Sequence, residues 1–184
     1  MKKLLLMVIL LCVANISLHA QNVTVTLSIA AGSGIATGTS IPLLSFKIGA
    51  VQPTLTTYVG APATAAKSQF TPLTLYKNID ATTPLLFLDC ALGKSIPNVT
   101  LTVYQNSAVL FQIILEKVYI STINDDSTNS DGGSPLETFS LSYGTIGWQY
   151  LPAGGPPVNG GFDLITNRPV GWSQLQNSIG SSSD

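Results

Sequence analysis

Thr82-Thr83-Pro84-Leu85-Leu86-Phe87-Leu88-Asp89-Cys90-Ala91-Leu92-Gly93 is the stretch of this chain that reads as a helix, set among segments that read as strand. Thr83 can cap its start and Pro84 suits the first helical position, where an N–H would have no partner in the helix. Gly93 suits the left-handed residue past the end. Residues 85–92 are apolar almost all round, as in a helix buried on most sides. Leu85, Leu88 and Leu92 are expected to pack onto a sheet, with the helix acting as a plug against or within its curve.

The flanking segments alternate. Over 22–30, Val23, Val25, Leu27 and Ile29 share one face while Thr24, Thr26 and Ser28 share the other, which is the period of a half-buried strand. A Gly-rich turn covers 31–40, and then Leu44, Phe46 and Ile48 alternate with Ser45 and Lys47. Residues 51–69 carry Pro53, Gly60 and Pro62 without periodicity and read as a long loop, a length that points to function. Residues 70–77 form a strand that Pro72 assigns to an edge.

Beyond the helix, Val99, Leu101 and Val103 alternate with Thr100, Thr102 and Tyr104 over 98–105, Asn106-Ser107 makes a turn, and 109–120 forms a long strand. A polar loop spans 124–134. In the strand 137–151, Phe139, Leu141 and Tyr143 share a face, but Ile146 and Trp148 have the opposite parity, so Gly144 marks a bulge. After a Pro/Gly loop (153–161), strands 162–165 and 170–172 close the domain through a turn at 166–169. Many strands with one buried helix indicate a barrel or rolled sandwich. The expected organisation is a single domain over 21–173 and a frayed Ser-rich tail over 174–184.

Residues 1–20 read as an export signal. Lys2 and Lys3 are followed by an apolar run over 4–13 and by Leu18-His19-Ala20, a cleavage site ahead of Gln21. A lipoprotein site at Cys12 is disfavoured because Leu11 stands where a small residue is needed. The chain from Gln21 onward has no histidine and one cysteine, Cys90, which reads as a small buried apolar side chain. Ser-His-Asp and Cys-His chemistry and His/Cys zinc sites are thereby excluded. Losing Lys2 and Lys3 leaves six basic residues against nine acidic ones, without the clustered cations that nucleic acid or anionic lipid requires. After signal removal no membrane insertion is expected. Only 9% of residues are charged, against about a quarter in an ordinary soluble chain. The surface is therefore either coated with neutral polar residues or covered by other copies of the chain.

Candidate chemistry is sparse. A carboxylate pair of Glu116 and Glu137 is conceivable for glycoside hydrolysis, but Glu116 falls on the polar parity of its strand and Glu137 heads its strand beside a loop. Asp125, Asp126 and Asp131 invite a calcium reading. Ser127, Asn129 and Asp131-Gly132 imitate part of a calcium loop, yet the closing position is Thr138, with Glu137 one residue early. A solvated hairpin loop fits better. Asn22-Val23-Thr24 and Asn98-Val99-Thr100 match glycosylation acceptors. Trp148 and Trp172 suit either core or interface. No catalytic residue, cofactor site or metal site is assigned.

From Gln69 onward the order of segments resembles the Hcp family, the tube protein of type VI secretion. The likeness is carried by Leu73-Thr74-Leu75-Tyr76-Lys77-Asn78-Ile79-Asp80, by the Thr-Thr-Pro helix and its Gly93-Lys94 exit, by the strands at 98–103 and 114–121, by 136–143, and by Gly161-Phe162-Asp163-Leu164 with Val170-Gly171-Trp172. The resemblance implies a mainly β protein, a two-sheet β-barrel with one short α-helix at its side. It also implies a non-enzymatic function: six copies closing into a ring, rings stacking into a hollow tube, and a lumen able to hold small effector proteins. Residues 51–69 would then correspond to the loop that contacts the next ring. Tube proteins of this family normally carry no export signal, so residues 1–20 set this chain apart. The competing reading is an exported monomeric binding module that grips a glycan or a protein through such loops.

Overall fold

The computed structural model describes residues 22–30, 33–36, 38–55, 64–65, 67–126 and 134–180. The expected signal (1–20), the centre of the polar loop (127–133) and the last four residues lie outside these.

The longest strand organises the rest. β10 (Ala108–Asp126) pairs over its first half with β9 (Ile96–Gln105) on one side and β12 (Thr145–Tyr150) on the other. Over its second half it pairs with β11 (Leu136–Ser142). The change of partner occurs at Lys117, whose φ of 55° is left-handed and costly for a residue with a Cβ. Gly144 sits against this bend. Its N–H donates to Glu116 O at 2.9 Å, and a Cβ there would lie 2.9 Å from Ile165 and 3.2 Å from Lys117 Cβ. The expected single strand over 137–151 is thus two strands, and Gly144 is the crossing between them.

The first ladder continues from β9 to β1 (Val23–Ile29) and β2 (Ser40–Leu43), and from β12 to β13 (Val158–Asp163) and β14 (Arg168–Pro169). The second runs from β11 to β8 (Leu73–Asn78) and β3 (Ser45–Lys47). All of these pairings are antiparallel, and the hydrogen-bond ladder does not close into a barrel. The two ladders nevertheless bury one core: Leu27 and Ile29, Leu101, Ile113 and Leu115 from one, Leu73, Leu75, Phe139 and Leu141 from the other. The expected second strand (44–48) is preceded by β2, in which Ile41 and Leu43 are buried. Phe46 and Ile48 pack against the core as expected, with Ser45 and Lys47 outward, but Leu44, at the bend between β2 and β3, faces out. The Asn106-Ser107 turn is as expected: both residues have positive φ, the geometry of a two-residue hairpin.

The described part of 51–69 is not a plain loop. β4 (Ala50–Val51) pairs with β7 (Gln69–Phe70), and β5 (Thr54–Leu55) pairs with β6 (Thr64–Ala65), giving an antiparallel arm. These short ladders are specified by backbone pairing, so the alternation that marks a core-facing strand is missing from the sequence.

Helix α1 (Thr83–Ala91) forms where expected, with Gly93 left-handed at its exit. Its orientation differs from the expected one. Leu86 is buried, together with Thr83 and Asp89, whereas Leu88 is 51% and Leu92 is 67% exposed. Because 85–88 is Leu-Leu-Phe-Leu, apolarity alone could not fix the phase. The polar residues fix it: the Asp89 carboxylate accepts Gly34 N–H at 3.0 and 3.2 Å and lies 3.6 Å from Lys94 Nζ. Thr82, not Thr83, occupies the cap position, and its side chain makes no capping bond.

A second helix, α2 (Trp172–Gly180), replaces the expected strand at 170–172 and most of the expected tail over 174–184. Trp172 and Leu175 pack on Ile114, on the face of β10 away from the main core. Gly147 makes the approach possible, since a Cβ there would fall 2.2 Å from Leu175 Cδ1.

Two substitutions test the helix phase. Leu86→Ala should cost roughly 2–5 kcal/mol as a buried truncation, while Leu88→Ala should change stability by less than about 0.5 kcal/mol as a surface substitution. Urea unfolding of both variants reads the difference.

Candidate functional site

Two places gather polar or apolar groups beyond what the core explains. The first is the root of the arm. Thr71 N–H and Oγ1 both donate to Gly49 O, at 2.9 and 3.1 Å, and the Tyr143 hydroxyl donates to Thr71 O at 3.0 Å. Burial pushes the Tyr143 phenol up to about 12, so it remains a donor across the physiological range. The Phe70 ring stacks on Phe162 with centroids 5.6 Å apart. Beneath the arm an apolar cleft of about 200 Å³ opens between Ile48, Phe70, Phe111, Ile113, Ile146 and Trp148. The arm therefore leaves the body from a fixed root.

The second is a buried charge cluster where β8 and β11 meet the start of α1. Lys77 and Glu137 are cross-strand partners and both are wholly buried. Lys77 Nζ donates to Asp80 Oδ1 (2.8 Å), Asn78 O (3.0 Å) and Thr83 Oγ1 (3.1 Å), and it lies 3.3 Å from Glu137 Oε1. Asp80 also accepts from Thr82 N–H and Oγ1, and Thr83 Oγ1 accepts from Asp80 N–H. The ammonium thus ties two strands to the helix start. Burial raises the Glu137 carboxyl above its ordinary range, against the pull of Thr83 and Lys77. Asp80 is opposed by burial too, but its hydrogen bonds from Lys77 and Thr82 prevail and hold it below its ordinary value.

These positions answer the expectations about chemistry. Glu116 and Glu137 do not meet: Glu116 lies opposite Asn98 and Thr145, and Glu137 lies opposite Lys77 and Asp125. Asp125 and Asp126 belong to the end of β10, not to a loop, and Asp131 lies outside the described residues. Trp148 packs against the main core and Trp172 against the second one. Cys90 is half-buried beside the core. Among the described residues no three His, Cys, Asp or Glu side chains group as a metal site, and no helix is long and apolar enough to cross a membrane. The cluster had a signal that the sequence reading missed: Lys77 shares parity with Leu73 and Leu75, and Glu137 shares parity with Phe139 and Leu141.

The signs of the two shifts oppose each other. Glu137 binds its proton more tightly folded than unfolded, so its contribution to stability falls as pH rises from the ordinary carboxylate range through its raised pKa. Asp80 contributes stability above its unfolded value and loses it as pH falls through the lowered one. Lys77→Met should destabilise by roughly 3–5 kcal/mol at pH 7, since it leaves Glu137 buried without its cation. That loss should shrink as pH is lowered from 7 towards the ordinary carboxylate range, as Glu137 takes up a proton. Urea unfolding of wild type and variant across this range checks it.

The fold and sequence have known relatives. The solved structure entitled "Structure of a type six secretion system protein" superposes with a TM-score of 0.72 at 18% identity, covering 81% of this chain and all of that one. Hcp1 from Salmonella typhimurium gives 0.66 at 22% identity, with 80% and 99% covered. Hcp1 from Flavobacterium johnsoniae gives 0.53 at 14% identity, with 74% and 98% covered. Comparison with curated protein sequences finds no match. The sequence profile of the family described as "Type VI secretion system effector, Hcp" matches residues 19–150, a span that includes the arm, the buried cluster, α1 and every strand of the two ladders except β13 and β14, and the chain accordingly belongs to the Hcp family.

Proposed function

We propose that this chain is an exported tube subunit without catalytic activity: residues 1–20 are removed, six copies close into a ring, and rings stack through the arm into a hollow tube with room for small effector proteins. The observation that carries the reading is the outer face of α1. Pro84, Phe87, Leu88, Ala91 and Leu92 follow the i, i+3, i+4, i+7, i+8 spacing of one helix stripe, and all five are exposed. The stripe contains no charge. Val23, Val158 and Tyr150 add exposed apolar surface elsewhere, in a chain that is only 9% charged. Contiguous apolar surface of this kind is the mark of an interaction face.

In a closed ring such a face meets a different face of the neighbour, a heterologous contact. The two-sheet barrel belongs to the same reading. β2 and β3 are successive strands joined at Leu44, whose N–H donates to Tyr76 O at 2.8 Å, bringing the end of one ladder beside the other. The stiff arm root supports a stacking role for the arm, with Val51 exposed near its base.

Mass spectrometry of the exported protein should give an N-terminus at Gln21. Light scattering should then give a hexamer for the wild type and a monomer for Leu88→Glu/Leu92→Glu. Val51→Asp should leave rings intact and shorten or abolish stacks in negative-stain images. A strictly monomeric wild-type protein at high concentration would overturn the ring and leave the monomeric binding module.

A further inference from the structure

A second cleft, of about 490 Å³, lies on the opposite side of the first ladder from the main core, between β12, β13 and the start of α2. Its lining differs from that of every surface described above. Gln149, Asn159, Ser173 and Gln176 supply amides and a hydroxyl, Val170 and Trp172 supply apolar wall, and no lining residue is charged. We propose that this cleft is a binding site for a neutral sugar unit of a glycan.

Gln149 and Asn159 are cross-strand partners, and Gln149 Nε2 donates to Asn159 Oδ1 at 2.9 Å. That bond holds both amides in place and uses one hydrogen of Gln149 and one lone pair of Asn159. Gln149 Oε1 and both hydrogens of Asn159 Nδ2 remain, so an acceptor and a double donor stand side by side. This is the pattern that adjacent hydroxyls, each donor and acceptor at once, can satisfy. The indole N–H of Trp172, in the same wall, is buried and has no acceptor among the described residues. A buried donor without a partner costs free energy that an oxygen-rich occupant or its bound water can recover.

Gly171 has ordinary φ, and a Cβ there would make only a normal contact, at 3.7 Å to Gln174, so neither backbone strain nor packing requires glycine at this lining position. Gly160 lies opposite Trp148 and shares its face, so it borders the cleft by its backbone alone. The volume falls in the range of small-molecule sites, and a wall of mixed apolar and amide character matches a ring with C–H faces and hydroxyl edges. The absence of lysine and arginine selects against phosphates and carboxylates.

The test is saturation-transfer difference NMR on the exported chain, with maltose, cellobiose and N,N′-diacetylchitobiose as probes, each at about 10 mM, a concentration that reveals millimolar affinity. At least one probe should give ring-proton signals. Asn159→Ala, at an exposed position, should abolish them while the melting temperature stays at the wild-type value, and Gln176→Ala, also exposed, should weaken them. Silence from all three sugars with the wild type would overturn the proposal, as would signals that persist in both variants. The measurement is indifferent to whether the protein is a ring or a monomer, so its failure and the failure of the tube reading are separable.

Discussion

The bend at Lys117 is the constraint on which the rest of the structure depends. A 19-residue strand cannot remain in one twisted sheet and also help to enclose a compact core, so β10 must change direction and partners part of the way along. One left-handed residue does this, and the cost of placing a Cβ there is met by the close approach of Gly144, whose N–H bonds to Glu116 O. On one side of the bend the strand pairs with β9 and β12, and on the other with β11. Both ladders therefore present their apolar faces to the same interior.

The buried charge cluster solves a different problem. α1 has a weakly specified phase, because four consecutive large apolar residues could equally well face the core. The Lys77 ammonium, held among Asp80, Glu137 and the Thr83 hydroxyl, pins the helix start, and the Asp89 carboxylate on Gly34 N–H pins its end. Hydrophobic burial is non-directional, whereas these bonds select one rotation. The selected rotation leaves Phe87, Leu88 and Leu92 outside. An apolar stripe exposed by polar constraints, and not by a lack of core to cover it, is what a surface kept for a partner looks like.

Membership of the Hcp family and this surface both support the proposed reading of the chain as an assembling subunit. The arm, the α1 stripe and the amide-lined cleft belong to different parts of the molecule. The proposed ring closure, stacking and ligand recognition should therefore be separable by substitution.

Much of the architecture could be read from the residues alone. The alternation at 22–30 and 98–105, the two-residue turn at Asn106-Ser107, the Thr-Thr-Pro start and the Gly93 exit of α1 are local, and local sequence carries them. The absence of a mature histidine on the expected cleavage, and the scarcity of charge, narrowed the chemistry in the same way. What needed the tertiary structure was non-local. Leu44 faces out because β2 and β3 belong to different ladders. The arm pairs with itself without a core to impose a period. Leu175 is buried only because Gly147, far away in sequence, leaves it room. The rotation of α1 and the burial of Lys77 opposite Glu137 follow the same rule. A side chain's parity is written in its own segment, but the group that makes its burial affordable arrives from another strand, and only the folded chain brings the two together.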